Sequence, residues 1–178
     1  IANIFPLMPQ EKLRELARNT RSSHQELTQT ATALAAAGAE TAAGIFNLTM
    51  NIEKFAIGTD QSLDTATNSV VRFANAFGWT LDGNTQEIWK FLNVVNLVSK
   101  RTASTADEVL AAATEFAPYA KMLNISAANA VAFAAVLPSL GLSADEAGTA
   151  LKNMAVYAIE NADLIAQAMA PVNEAYQD

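Results

Sequence analysis

The chain has no cysteine, which excludes disulfides, thiolate-ligated metals and a cysteine nucleophile. Its single histidine, His24, has no second imidazole to pair with. Aromatic residues make up only 7% of 178 positions, so a core has to be filled by smaller side chains. Basic residues are scarce, 11 against 18 acidic, for a formal net charge of −7. An acidic chain lacks the cationic footprint on which nucleic-acid affinity depends. The one basic stretch, Lys12, Arg14, Arg18 and Arg21, is interleaved with Glu11 and Glu15, as on a solvated helix face with i,i+3 and i,i+4 ion pairs. Direct, sequence-specific binding of nucleic acid is therefore not expected. Long apolar runs are missing too. The most apolar stretch, residues 125–142, is interrupted by Asn129, Pro138 and Gly141, too short and too broken for a membrane span. The chain opens Ile1-Ala2-Asn3, with neither initiator methionine nor a basic-then-apolar leader, and reads as an internal piece of a longer polypeptide.

What is present is alanine and punctuation. Hydrophobic residues reach 51%, and much of that is alanine, which favours helix and allows close helix contacts while filling little volume. A three-residue mark recurs between apolar segments: Gly78-Trp79-Thr80, Asn124-Ile125-Ser126 and Gly141-Leu142-Ser143. Gly or Asn accepts the left-handed backbone that ends one helix, and Ser or Thr can cap the next. Burial of the apolar residue between them would fold the second helix back on the first. The fold class expected is all-α, a compact array of antiparallel helical hairpins with about seven to eight helices.

Along the chain, residues 1–9 hold two prolines and read as an irregular lead-in. A short helix follows, with Leu13, Leu16 and Ala17 on one face. Ser23-His24-Gln25-Glu26 has the capping-box form, opening a helix towards Gly38 with Leu27, Ala31 and Leu34 aligned; a single helix bent near Ser22 is the alternative. Ile45, Leu48, Ile52 and Phe55 mark a helix stopping at Gly58. Leu63, Ala66, Val70, Phe73 and Phe77 form the cleanest stripe. Ile88, Leu92, Val95 and Val98, with Trp89, Phe91 and Val94 on other sides, predict the central element. Capping boxes recur at Thr105-Ala106-Asp107-Glu108 and Ser143-Ala144-Asp145-Glu146, hinting at a degenerate helix-pair repeat. Between them lies a helix bearing Phe133 and Leu137. Pro118 is expected to kink or end its helix near Ala117. The final helix aligns Ala147, Leu151, Met154 and Ala158, and Pro171 closes the ordered part. The division expected is residues 1–40 as helical lead-in, 41–170 as core module and 171–178 as a poorly ordered tail.

No catalytic, cofactor-binding or metal-ligating residues are expected. His24 sits just inside a helix start with no nucleophile near it, and reads as a surface residue. Asp107 with Glu108, and Asp145 with Glu146, are carboxylate pairs, but their place in the positive first turn of a helix explains them. Neighbours on a helix also point about 100° apart and do not converge on one substrate atom. The seven glycines are scattered singly, so no phosphate loop exists. Asp82-Gly83-Asn84 lacks the acidic spacing of a calcium loop and reads as a turn. Trp79 and Trp89 are expected in helix packing rather than as a ligand platform. Met50, Met122, Met154 and Met169 are dispersed, as core filling requires.

The ordered strings Phe77-Gly78-Trp79-Thr80, Arg101-Thr102-Ala103-Ser104-Thr105-Ala106-Asp107-Glu108, Phe116-Ala117-Pro118-Tyr119-Ala120-Lys121 and Gly141 to Asn153 resemble the core region of phage tail tape measure proteins. The run Glu146-Ala147-Gly148-Thr149-Ala150-Leu151-Lys152 is the most specific. The resemblance covers about Thr41 to Ala155 and is stronger after Asn68. Asn129, Phe133 and Pro138 depart from it, standing where the family often carries a more regular helix. The resemblance implies a non-enzymatic virion component without cofactors. It would set tail length during assembly and assist DNA across the cell envelope. The implied partners are other tail proteins (tail tube and assembly chaperones) and further copies of itself, with membrane contact at infection. The implied location is the tail lumen, after assembly in the host cytoplasm. A continuous helix of this length would run roughly 270 Å, which the Gly and Pro stops forbid; a compact module within the ruler is expected, of modest stability because alanine contacts bury little area. The alternative is a membrane-active or pore-forming helical protein, raised by a positive mean hydropathy and helices apolar on several sides.

Overall fold

The computed structural model describes residues 10–175. The expected lead-in over residues 1–9, and residues 176–178, lie outside the described residues. Among the described residues there are nine helices and no strand. They are α1 (Gln10–Asn19), α2 (His24–Ala36), α3 (Ala42–Thr59), α4 (Leu63–Phe77), α5 (Thr85–Ser99), α6 (Ala106–Met122), α7 (Ala127–Ser139), α8 (Ala144–Glu160) and α9 (Ala162–Ala175). The all-α reading holds, with one or two more helices than expected. α1 and α2 are separate helices, with a break over residues 20–23.

The helix starts follow the sequence closely. Ser23, Thr105 and Ser143 each accept from the backbone of the residue three further on, while Glu26, Glu108 and Glu146 reach back to the cap. Each box satisfies two otherwise orphaned N–H groups. Five helix exits share one geometry. Gly38, Asp60, Gly78, Asn124 and Gly141 all have positive φ, and the next residue's N–H returns to a carbonyl in the last helical turn, as Trp79 does to Ala74 at 2.8 Å.

Three punctuation details differ. α3 does not stop at Gly58 but runs to Thr59 and ends on Asp60, at φ 55; Asp tolerates the left-handed region, and Gly58 instead gives room to Asn96 on α5. Thr80 does not cap α5. A turn intervenes, and the Asn84 side chain turns back to accept from the Thr80 N–H at 3.1 Å. Of the apolar residues between stop and start, Trp79 and Ile125 are half-buried, whereas Leu142 is exposed.

The central element is α6 rather than α5. It touches α4, α5, α7 and α8 and buries Val109, Leu110, Ala112, Ala113, Phe116, Ala117 and Ala120. Small side chains explain this: an alanine face lets several neighbours approach one axis, whereas the bulk of α5 keeps them apart. α6 also continues through Pro118 to Met122. Pro118 is exposed, while Ala117 and Ala120 are wholly buried and hold the last turn in place. Its most extensive packing is against α8, whose buried face is Ala147, Gly148, Leu151 and Ala155. A Cβ on Gly148 would collide with the Glu115 side chain, whose own Cβ lies 2.9 Å from that point. An aromatic cluster lies between α4 and α5. Phe73 stacks on Phe91 at 3.9 Å between centroids, with Trp79 edge-on to both.

Two expected faces are rotated. α7 buries Ala127, Ala130, Val131, Ala134 and Ala135 and leaves Phe133 45% exposed. α8 leaves Met154 exposed, not buried. Met122 and Met169 are exposed as well, so of the four methionines expected as core filling only Met50 is partly buried. α9 touches only α8 among its stronger contacts, and its described side chains from Ala162 to Met169 are all exposed. Pro171 falls within the α9 span rather than closing it.

Candidate functional site

The residue that least fits a helical core is Glu53. It follows Ile52 on the buried face of α3 and is 1% exposed. A buried carboxylate needs donors to replace its lost water. Ser22, in the α1–α2 turn, supplies both: its N–H donates at 3.3 Å and its hydroxyl at 2.5 Å. Glu53 opens on a cavity of about 130 Å³, also lined by Arg21, Glu26, Asp60, Gln61 and Ser62. Gln61 Oε1 is buried there without a hydrogen-bond partner. The cavity has room for about four waters. Among the described residues Ser22 is the partner that bonds to the carboxylate, and the pair ties the α1–α2 turn to α3. Sequence reasoning missed Glu53; the signal was the helix's one acid set between Ile52 and Phe55 of the apolar stripe.

Asp82 is the second residue with an unanticipated role. Its turn, between α4 and α5, lies against the start of α3. The carboxylate accepts from the Glu40 N–H at 2.5 Å, the Thr41 N–H at 3.0 Å and the Thr41 hydroxyl at 3.0 Å. It thus places negative charge on the positive end of α3. Gly44 has no side chain because this carboxylate occupies the space one would need.

The residues weighed for chemistry fall at separate places. His24 is the first residue of α2, half-buried, with Nε2 unpartnered. The Ser23 N–H, then its hydroxyl, hold the Glu26 carboxyl below its ordinary value, and Ser143 does the same for Glu146. Burial pushes Asp107 up. Trp79 is packed in the aromatic cluster, and Trp89 is half-buried with Lys54 Nζ 5.9 Å from its ring. Among the described residues no group of three or more His, Cys, Asp or Glu could hold a metal ion. None of their helices is long and apolar enough to cross a membrane.

The described residues thus form an alanine-packed helical array with three capping boxes. A family profile described as phage-related minor tail protein matches residues 10–173. The chain belongs to this family. The match runs from the start of α1 almost to the end of α9, so the array as a whole is a phage tail protein. No curated protein and no solved structure matches it.

Proposed function

We propose that this phage tail protein is a segment of a tape measure protein, setting tail length during assembly and assisting DNA passage through the cell envelope. The observation that carries the reading is the family match over residues 10–173, taken with the ordered strings that resemble tape measure cores. The geometry gives those strings physical work. Glu146 closes a capping box, and Gly148 leaves room for the Glu115 side chain of α6. Residues 41–170 form the ruler module in this reading, and residues 1–40 lead into it. Short loops joining helices that also touch, such as α6 with α7 and α7 with α8, support an antiparallel hairpin arrangement. The role asks for no catalytic residue or cofactor. Its partners are tail tube and assembly proteins, in the virion and beforehand in the host cell.

A compact array has to open before it can lie along a narrow tube. An alanine core suits this, because each contact gives up little buried area when broken. The test is an in-frame deletion of residues 10–173 in the phage, with tail lengths read by electron microscopy. Shorter tails are expected. Shortening of roughly 250 Å would mean that the segment is extended in the tube, and a smaller change that it stays folded. Tails of unchanged length would overturn the ruler reading.

A further inference from the structure

Among the described residues Glu53 is the one buried ionisable side chain, and nothing cationic bonds to it. Both of its hydrogen bonds come from Ser22, a neutral donor, whereas a carboxylate can accept about four. Gln61 adds an observation independent of any carboxylate. It lines the same cavity, between the α1–α2 turn and the α3–α4 loop, and its side-chain oxygen is buried without a hydrogen-bond partner. An orphaned buried acceptor is costly. What this cavity lacks is donors and positive charge. Its lining sets three carboxylates, Glu26, Glu53 and Asp60, against one guanidinium, Arg21. Arg21 is exposed, so its side chain can extend into water. The rest of the wall includes the apolar side chains of Ala56, Ile57 and Leu63.

We propose that this cavity binds a primary alkylammonium group. The head donates to Glu53 and to Gln61 Oε1, and the methylene stem lies against the apolar wall. An ammonium carries three N–H donors on one compact atom, which suits acceptors arriving from two elements. The volume of about 130 Å³ matches an ion of about four heavy atoms, at roughly 30 Å³ for each water displaced. A metal ion fits less well, since among the described residues no group of three or more His, Cys, Asp or Glu could hold one. Water fills such a space but brings no charge to Glu53. The end of a lysine side chain and a small amine in solution share the chemistry required. The site stands on the cavity alone and holds whether or not the protein is a ruler.

The test titrates n-propylammonium chloride into the full 178-residue chain at constant ionic strength, following backbone amide shifts by NMR. Saturable shifts are expected at Ser22 and Gln61, with Kd of roughly 0.1–10 mM for so small a ligand. Propanol lacks the charge and tetramethylammonium lacks the N–H donors, so each should bind at least about tenfold more weakly. Glu53→Gln keeps the shape, removes the charge and should lose at least about tenfold in affinity. Gln61→Leu serves if that variant disturbs folding, as read by circular dichroism. Arg21→Ala, at an exposed position, should keep the fold and tighten binding, because a like charge leaves the wall. Nα-acetyl-lysine amide carries the same head on a bulkier body. If it binds too, the source is a lysine side chain of another protein; if propylammonium alone binds, the source is a small amine, and either result supports the ammonium site. No saturable binding, equal binding of propanol or tetramethylammonium, full affinity in the folded Glu53→Gln or Gln61→Leu variant, or weaker binding by Arg21→Ala would overturn the proposal.

Discussion

Truncating Asp82 to alanine removes the acceptor of three hydrogen bonds at the start of α3. An exposed cap costs less than a buried one, so a loss of about 1–3 kcal/mol is expected, read as a lower urea midpoint with unchanged m. Asp82→Asn should recover part of it, since an amide oxygen still accepts. Gly148 fails in the opposite way, by excess. Gly148→Val would drive a branched side chain into Glu115, whose Cβ lies 2.9 Å from the new Cβ. Overpacking there is expected to cost about 1–3 kcal/mol, and Glu115→Ala should relieve much of it in a double-mutant cycle. The capping glutamates add a pH dependence. Glu26 and Glu146 titrate below the ordinary glutamate value of 4.5, so their boxes contribute fully above it. That contribution is lost as pH falls through the lowered folded-state values. The Tm gap between wild type and Ser143→Ala should therefore narrow as pH drops from about 7 to about 3. A constant gap would mean that the carboxylate adds nothing.

Among the elements, α6 contains the clearest local conflict. Pro118 cannot donate to the Thr114 carbonyl, yet the helix continues to Met122. Packing on α4, α5, α7 and α8 outweighs the missing bond. Pro118 is exposed, so Pro118→Ala restores a hydrogen bond without opening a cavity. It is expected to stabilise by about 1–3 kcal/mol, seen as a raised Tm. Helix starts were legible because a capping box is a short, local code: Ser23, Thr105 and Ser143 all cap where their strings predict. Helix faces were legible only where bulk was concentrated. Leu63, Ala66, Val70 and Phe73 are buried as their spacing requires. α7 and α8 offered two apolar sides each, and periodicity does not choose between sides of similar hydropathy. The alanine side faces inward because only small residues permit the approach of α6, and Phe133, Met154 and Tyr157 are left outside.

For the molecule as a whole, stability should be graded by depth. Amides of α6 are expected to exchange with solvent only through global unfolding, since its alanine face is closed by four neighbours. Amides of α9 should exchange fastest among the nine helices, because none of its side chains from Ala162 to Met169 is buried. Hydrogen exchange followed by mass spectrometry reads both, and equal protection of α9 and α6 would contradict the packing described. Glu53 belongs at this scale as well. Its partner Ser22 lies 31 residues away, so its burial could be seen only after α3 had been placed against the α1–α2 turn.

Sequence alone determined the helical class, most helix limits and the lack of a nucleic-acid footprint. These follow from local backbone chemistry, in capping side chains and left-handed stops, and from net charge, none of which needs a neighbour. Tertiary structure decided which element is central, which side of α7 and α8 turns inward, and how Glu53 and Asp82 are satisfied. Those outcomes depend on how closely two axes can approach and on hydrogen bonds between distant residues. Both are properties of pairs of elements, and no single segment encodes them.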